Sequence, residues 1–184
     1  MLPDMCQNVP QQLPKEWKTE RSIIQDSVET DVPELQKVYD ERAYIGELTG
    51  YDDPRENPML AEFRHETLPP DGRAELHRVQ SIFEKQTKEF VGYLICYHGF
   101  PDHETLWIAV LAIRPTFQRQ KLGKEVIDAL SIETKKLGTF HRMGISIGTG
   151  NEPAMKFWSS CGFTQIVKTI DHGEHKEEWR VKPL

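Results

Sequence analysis

The run Leu106-Trp-Ile-Ala-Val-Leu-Ala-Ile113 is the longest apolar stretch of the chain, and together with the basic turn after it this run restricts the fold most. Its length and composition predict a core strand. Arg114-Pro115 ends that strand, because proline has no N–H to give to a ladder. Gln118-Arg119-Gln120-Lys121-Leu122-Gly123-Lys124 then leads into a helix with the apolar stripe Leu122, Val126, Ile127, Leu130 and Leu137, stopped at Gly138. A turn that delivers amide N–H groups at a helix start, beside several cations, suits an anion, and a pyrophosphate fits best. Met143–Ile147 reads as a second strand, parallel to the first because a helical crossover separates them. Asn151 opens a last helix whose stripe is Ala154, Phe157, Trp158 and Cys161.

The rest of the chain is organised around that core. Residues 1–20 carry prolines and no period, and read as an extended arm with a helical turn near Trp17. Ser22–Val28 reads as a strand, and Asp31-Val-Pro33 opens a helix with Leu35, Val38, Ala43 and Ile45 inward, running towards Gly46. A loop, a short helix near Met59–His65 and a second loop come next. Glu75–Glu84 and Phe90–Tyr97 alternate and form a hairpin, as do Thr164–Ile170 and Glu177–Val181.

The turn and the last helix, in this order, resemble the cofactor-binding core of the GNAT family of N-acetyltransferases. The family's turn is Gln/Arg-x-x-Gly-x-Gly/Ala, here Gln118-Arg119-Gln120-Lys121-Leu122-Gly123; its helix is Asn-x-x-Ala-x-x-Phe/Leu-Tyr-x-x-x-Gly-Phe, here Asn151 to Phe163. The resemblance implies one α/β (α+β) domain over residues 21–184 behind an N-terminal extension at 1–20. It implies a mixed, mostly antiparallel sheet of six to seven strands, about four flanking helices, and a splayed parallel pair of central strands.

It further implies acetyl-coenzyme A as co-substrate and direct acetyl transfer to a primary amine in a ternary complex. Gln118, Arg119, Gln120, Lys121, Leu122, Gly123 and Lys124 would hold the pyrophosphate. The backbone of Leu111, Ala112 and Ile113 would pair with the pantetheine amides as a pseudo-strand, beside Asn151, Phe157 and Trp158. The N–H of Leu111 would meet the developing oxyanion.

Three positions depart from the family pattern. Lys121 replaces the first glycine of the turn, and would add a charge contact. Trp158 replaces a tyrosine that can protonate the leaving thiolate. Trp107 occupies the strand on which some members carry a glutamate base, so Glu104, just before the strand, is the candidate base, ahead of His103, Tyr97 and Glu62. A non-catalytic module that binds acyl-coenzyme A is the alternative reading. Plainer readings accompany each residue: a solvated helix start for Gln118–Lys124, a core strand for Leu111–Ile113, an N-cap for Asn151, core packing for Trp158 and a loop residue for Glu104.

Composition narrows the partners. With 38% hydrophobic and 28% charged residues the chain is a soluble globular protein, and its net charge of −6 argues against nucleic acid and for a cationic small-molecule or peptide amine. The acidic lobe Glu47–Asp71 is where such an amine would be drawn. Neither a membrane span nor a signal peptide is visible, and Cys6, Cys96 and Cys161 make no disulfide framework, which places the protein in the cytoplasm; a homodimer is left open. Gly148-Thr-Gly150 imitates a dinucleotide fingerprint, but Pro153 stands at its third glycine. His172-Gly-Glu-His175 has metal-ligand types with nothing to complete a set, so no metal is expected.

Overall fold

The computed structural model describes residues 9–42 and 53–184. Its centre is one sheet of eight strands in the order β1-β2-β3-β4-β5-β6-β8-β7. These are β1 Glu16–Lys18, β2 Ser22–Asp26, β3 His77–Glu84, β4 Phe90–His98, β5 Thr105–Ile113, β6 Arg142–Gly148, β7 Gln165–Asp171 and β8 Lys176–Pro183. Every pairing is antiparallel except β5 with β6. Among the described residues four α-helices flank the sheet: α1 Val32–Asp40, α2 Pro58–Phe63, α3 Leu122–Lys136 and α4 Glu152–Ser160.

Side-chain alternation along the strands divides the core into two layers. Leu94, Cys96, Leu106, Ile108, Met143, Ile145 and Ile147 pack with Leu122, Val126, Ile127 and Leu130 of α3, while Phe157 and Trp158 of α4 lean on the same cluster. On the other face Val79, Tyr93, Ile95 and Ala112 pack with Leu35 and Val38 of α1 and Met59 of α2. Leu35 and Val38 are fully buried, so each contributes roughly 1.5–3 kcal/mol of transfer free energy.

Eight strands exceed the expected six to seven, and the extra one is β1. Where the sequence suggests a helical turn near Trp17, Glu16–Lys18 pair with Gln25–Ile23. Trp17 is buried, and its indole N–H donates to Gln80 Oε1 at 2.9 Å, a long-range partner that overrides any local preference. The arm ahead of it is anchored too. The Leu13 N–H donates to His98 Nε2 at 3.1 Å, and burial pushes the His98 pKa down to about 4, keeping the imidazole neutral. Helix α1 ends at Asp40; Ala43, Ile45 and Gly46 of the expected helix, like Glu47 and Asp52 of the acidic lobe, lie outside the described residues.

One irregularity positions the functional part of the sheet. Ile95 faces Val110 and Cys96 faces Ile108, so Ala109 is a β-bulge in β5. Pairing between β5 and β6 stops at the same point, with Ile108 opposite Ile145, while β6 continues along β8 to Gly148. From Ala109 onward β5 therefore has an open edge towards β6. Among the described residues no helix is long and apolar enough to cross a membrane, and no group of His, Cys, Asp and Glu is arranged for a metal.

Candidate active site

The open edge of β5 presents particular amides. In an antiparallel ladder successive residues turn their N–H and C=O to opposite sides. The Arg114 N–H donates to Val91 O at 2.9 Å, so Arg114 and Ala112 turn towards β4, and Ile113 and Leu111 turn towards the gap. The Gln118 side chain agrees, since its Nε2 donates across that edge to Ile113 O at 2.7 Å. The backbone of Leu111 thus faces the open edge. Ala112 has its amide on the β4 side of the ladder and its side chain among Tyr93 and Ile95.

The strand leads through a 3-10 turn, Pro115–Phe117, into the first turn of α3. Gln118 is occupied as a brace between strand end and turn, and Gln120 Nε2 donates to Thr116 O at 3.0 Å. Lys121 is the N-cap residue, in the left-handed region at φ 63, and supplies no side-chain cap. Arg119 is left-handed as well, at φ 64. That geometry explains why a glycine suits the Lys121 position: a residue with a Cβ is disfavoured there by about 1–2 kcal/mol. The first helical bond runs from Glu125 N–H to Lys121 O at 3.1 Å, which leaves the earlier N–H groups of the turn as orphan donors.

Cations surround those donors unequally. Arg119 and Lys121 are exposed and have no ion pair among the described residues, whereas Lys124 is engaged by Asp128 at 3.1 Å. The acidic Glu125 would oppose an anion, but Arg21 binds it at 2.7 Å. Burial would raise the Glu125 pKa, yet the bonds from Thr19 and Arg21 outweigh it and hold the carboxyl below its ordinary value. Gly123 faces α4: a Cβ there would lie 3.3 Å from the Phe157 ring and 3.8 Å from Ile113 Cγ1. Helix, open strand and α4 therefore meet at one place.

On α4, Asn151 is an N-cap, its Oδ1 accepting from Ala154 N at 3.2 Å. Capping uses only the oxygen of this amide and leaves its NH₂ to donate elsewhere. Trp158 is half-buried between Phe157 and Phe163, with ring centroids 5.0 and 5.1 Å away. An indole so placed is a wall and not an acid.

Glu104 requires correction as a base. It sits at the opposite end of β5, exposed, 3.9 Å from His141 Nε2. Nearby, Asp102 ties down Arg142 at 2.5 Å where β5 and β6 are paired. From 104 to 111 a strand covers about 23 Å at roughly 3.3 Å per residue, beyond the reach of a water-relayed proton. His103 falls with it. Tyr97 and Glu62 are engaged elsewhere, by Arg73 N at 2.8 Å and Thr67 Oγ1 at 2.6 Å. A cavity of about 330 Å³ near His65 and His77 also lies away from the splay, beside β2 and β3.

Sequence reasoning missed a polar group on the α1/α2 face. Ser146 of β6 lies opposite Trp179 of β8, and Glu177 lies opposite Gly148. Glu177 Oε1 accepts from Ser146 Oγ at 2.5 Å and from Trp179 Nε1 at 2.7 Å, and Oε2 lies 3.2 Å from His172 Nε2. Burial would raise the Glu177 pKa, but those three bonds prevail and hold it below the usual value. Beside this group Trp107, Trp179 and Phe100 pack edge-on or tilted to one another, with ring centroids 5.1–5.4 Å apart. Trp107 lies over Gly144, where a Cβ would come within 2.7 Å of its ring. The available signal was the alternation Gly144, Ser146, Gly148 along β6; the missing information was that β8, not β7, is its neighbour.

Comparisons with known proteins bear on the family and the fold. The sequence profile of the acetyltransferase (GNAT) family matches residues 33–163. A comparison with curated proteins returned no match. Among solved structures, an acetyltransferase from Thermus thermophilus superposes with a TM-score of 0.69 at 22% identity, covering 91% of this chain and 100% of its own. RimL, a ribosomal-protein alpha-N-acetyltransferase, gives 0.72 at 15% identity over 96% and 99%. A mutant of the spermidine N-acetyltransferase SpeG from Vibrio cholerae gives 0.68 at 13% identity over 89% and 94%. At such identities the superpositions establish a shared fold.

Proposed function

Because the chain belongs to the GNAT family of acetyltransferases, we propose that it transfers an acetyl group from acetyl-coenzyme A to a primary amine of a cationic small molecule or peptide, directly and within a ternary complex. The observation that carries this reading is the bulge at Ala109, after which β5 parts from β6 and turns the backbone of Leu111 and Ile113 to the gap. An uncapped helix start with two unpaired cations comes directly after it in the chain. Apart from the Gln118 side chain on Ile113 O, both features lack a complement among the described residues, and a pantetheine arm joined to a pyrophosphate suits them in that order.

Acetyl-coenzyme A supplies an acyl group on a thioester, whose thiolate is a fair leaving group. The residues divide the remaining work. Orphan N–H groups of the α3 turn, with Arg119 and Lys121, bind the phosphates. Leu111 and Ile113 align the pantetheine amides, and the Leu111 N–H donates to the carbonyl oxygen as negative charge develops there. Phe157 and Trp158 keep the slot dry. The amine enters from the α1/α2 face, opposite the helix that binds the phosphates, so both substrates reach the gap together.

Titration with coenzyme A tests the binding half: the melting temperature should rise with concentration, and absence of heat in calorimetry at millimolar ligand would overturn the reading. Thiol release from acetyl-coenzyme A across spermidine, aminoglycosides, amino acids and peptides tests the transfer half. Trp158, where the family has a proton donor, favours a second reading, a non-catalytic acyl-coenzyme A-binding module. Binding without thiol release from any amine would select it.

A further inference from the structure

We propose that Glu177, acting through the hydroxyl of Ser146, accepts the proton of the incoming amine. This rests on the acetyl-transfer reading and supplies the base that neither Trp107 nor Glu104 provides.

Position comes first. Ile145 is the last β6 residue paired with β5, so Ser146 stands immediately beyond the closed part of the splay. The Leu111 edge lies across the gap. Ser146 shares its face with Trp179 and with Gly144, over which Trp107 lies. That face is opposite the one covered by α3 and α4, and is the face from which an amine would approach. Ser146 is exposed, and its hydroxyl points to Glu177 Oε1 at 2.5 Å.

Orientation comes second. Glu177 is not a free surface carboxylate. The Trp179 indole N–H fixes Oε1 at 2.7 Å and His172 fixes Oε2 at 3.2 Å, so the carboxylate is held as an anion with one hydroxyl leading out of it. The neighbouring aromatic wall accepts cations: Lys168 Nζ lies 4.3 Å from the centre of the Trp179 ring. An ammonium group arriving beside Ser146 would meet a ring face of this kind together with the Glu177 carboxylate. Lys168 shows the ring contact of a primary ammonium.

The step balances. The ammonium gives one proton to Ser146 Oγ while the Ser146 proton passes to Glu177 Oε1, which frees the nitrogen lone pair. That nitrogen forms the C–N bond to the acetyl carbon, the C–S bond breaks with its electron pair on the thiolate, and the second nitrogen proton passes to the departing sulfur or to water.

The test compares amines that differ in whether a proton must be removed. In Glu177→Gln, kcat/KM for an alkyl ammonium acceptor should fall by roughly 10²–10⁴ at neutral pH. With an amine already neutral there, such as hydroxylamine or an aniline, the loss should stay within about tenfold. Ser146→Ala should show the same preference more weakly, and Ser146→Thr, which keeps the hydroxyl, should restore the rate. Equal losses for both kinds of amine, or no loss for either, overturn the assignment. If Glu177→Gln fails to fold, the Ser146 pair decides alone. Coenzyme A affinity separates the two levels: unchanged binding and rate in the variants removes only the proton acceptor, whereas a wild-type protein that binds no coenzyme A, or releases no thiol with any amine, removes the acetyl-transfer reading and this one together.

Discussion

Helices α3 and α4 stand side by side at the splay, and their first turns are finished in opposite ways. Asn151 closes α4, its side chain accepting from Ala154 N, and Pro153 sits where a missing N–H does no harm. At α3 the N-cap is a lysine in the left-handed region with no cap bond, flanked by Arg119 and Lys124. Each cation at a helix N-terminus is unfavourable by about 0.3–1 kcal/mol. A chain selected only for stability would reverse these choices. The difference teaches that the start of α4 is completed by the protein itself, while that of α3 keeps open N–H donors among the described residues, which is what the proposed phosphate site rests on.

Gly123→Glu should break the comparison most severely. A carboxylate in this turn is favourable to the bare helix, by about 0.3–1 kcal/mol, so any loss must appear in binding. Two like charges near 5 Å repel by about 3 kcal/mol at an effective dielectric of 20. Coenzyme A affinity should therefore fall by more than about 100-fold, measured by calorimetry. A loss below about tenfold would place the phosphates elsewhere. The Phe157 ring, 3.3 Å from a Cβ at this position, adds crowding, which Gly123→Ala measures separately.

The next effects are of the order of 1 kcal/mol and should fall on different quantities at the two helices. Asn151→Ala removes a cap and should lower unfolding free energy by about 1 kcal/mol, with coenzyme A affinity nearly unchanged. A substantial affinity loss would show that the Asn151 NH₂ also reaches the ligand. Lys121→Gly should do the reverse. It relieves left-handed strain, raising stability by up to about 1 kcal/mol, and removes a cation, weakening coenzyme A several-fold with a shallower salt dependence. Chemical denaturation and titration at two ionic strengths separate these outcomes.

Much of this is legible from local sequence, because its causes are local. The apolar run before Pro115, the stripes of α3 and α4, and the Asn151 cap all act within a few residues, and each element forms where its signal lies. What escapes is what pairing decides. Strand β1 has three residues, too few to show a period, and exists because Trp17 finds Gln80. The bulge at Ala109 is invisible in a run that is apolar at every position. Glu104 is favoured by nearness in sequence to a strand that in fact carries its two ends far apart. Ser146 and Glu177 meet only because β8 inserts between β6 and β7.

The smallest expected effect lies at Trp158 of α4, beside the proposed slot that β5 and β6 leave where they part. The indole fills space between Phe157 and Phe163. Trp158→Tyr keeps an aromatic wall and loses some volume, so it should cost about 1 kcal/mol of stability and leave coenzyme A affinity in place. It also introduces a phenol, whose ordinary pKa near 10 suits donation to a departing thiolate. Turnover should then be equal or modestly faster, read from thiol release at saturating coenzyme A donor. A large loss of rate in a well-folded Trp158→Tyr protein would mean that the indole itself takes part. The slot wall would then belong with the open helix end, as a part tuned to its ligand, and not with the self-sufficient packing of α4.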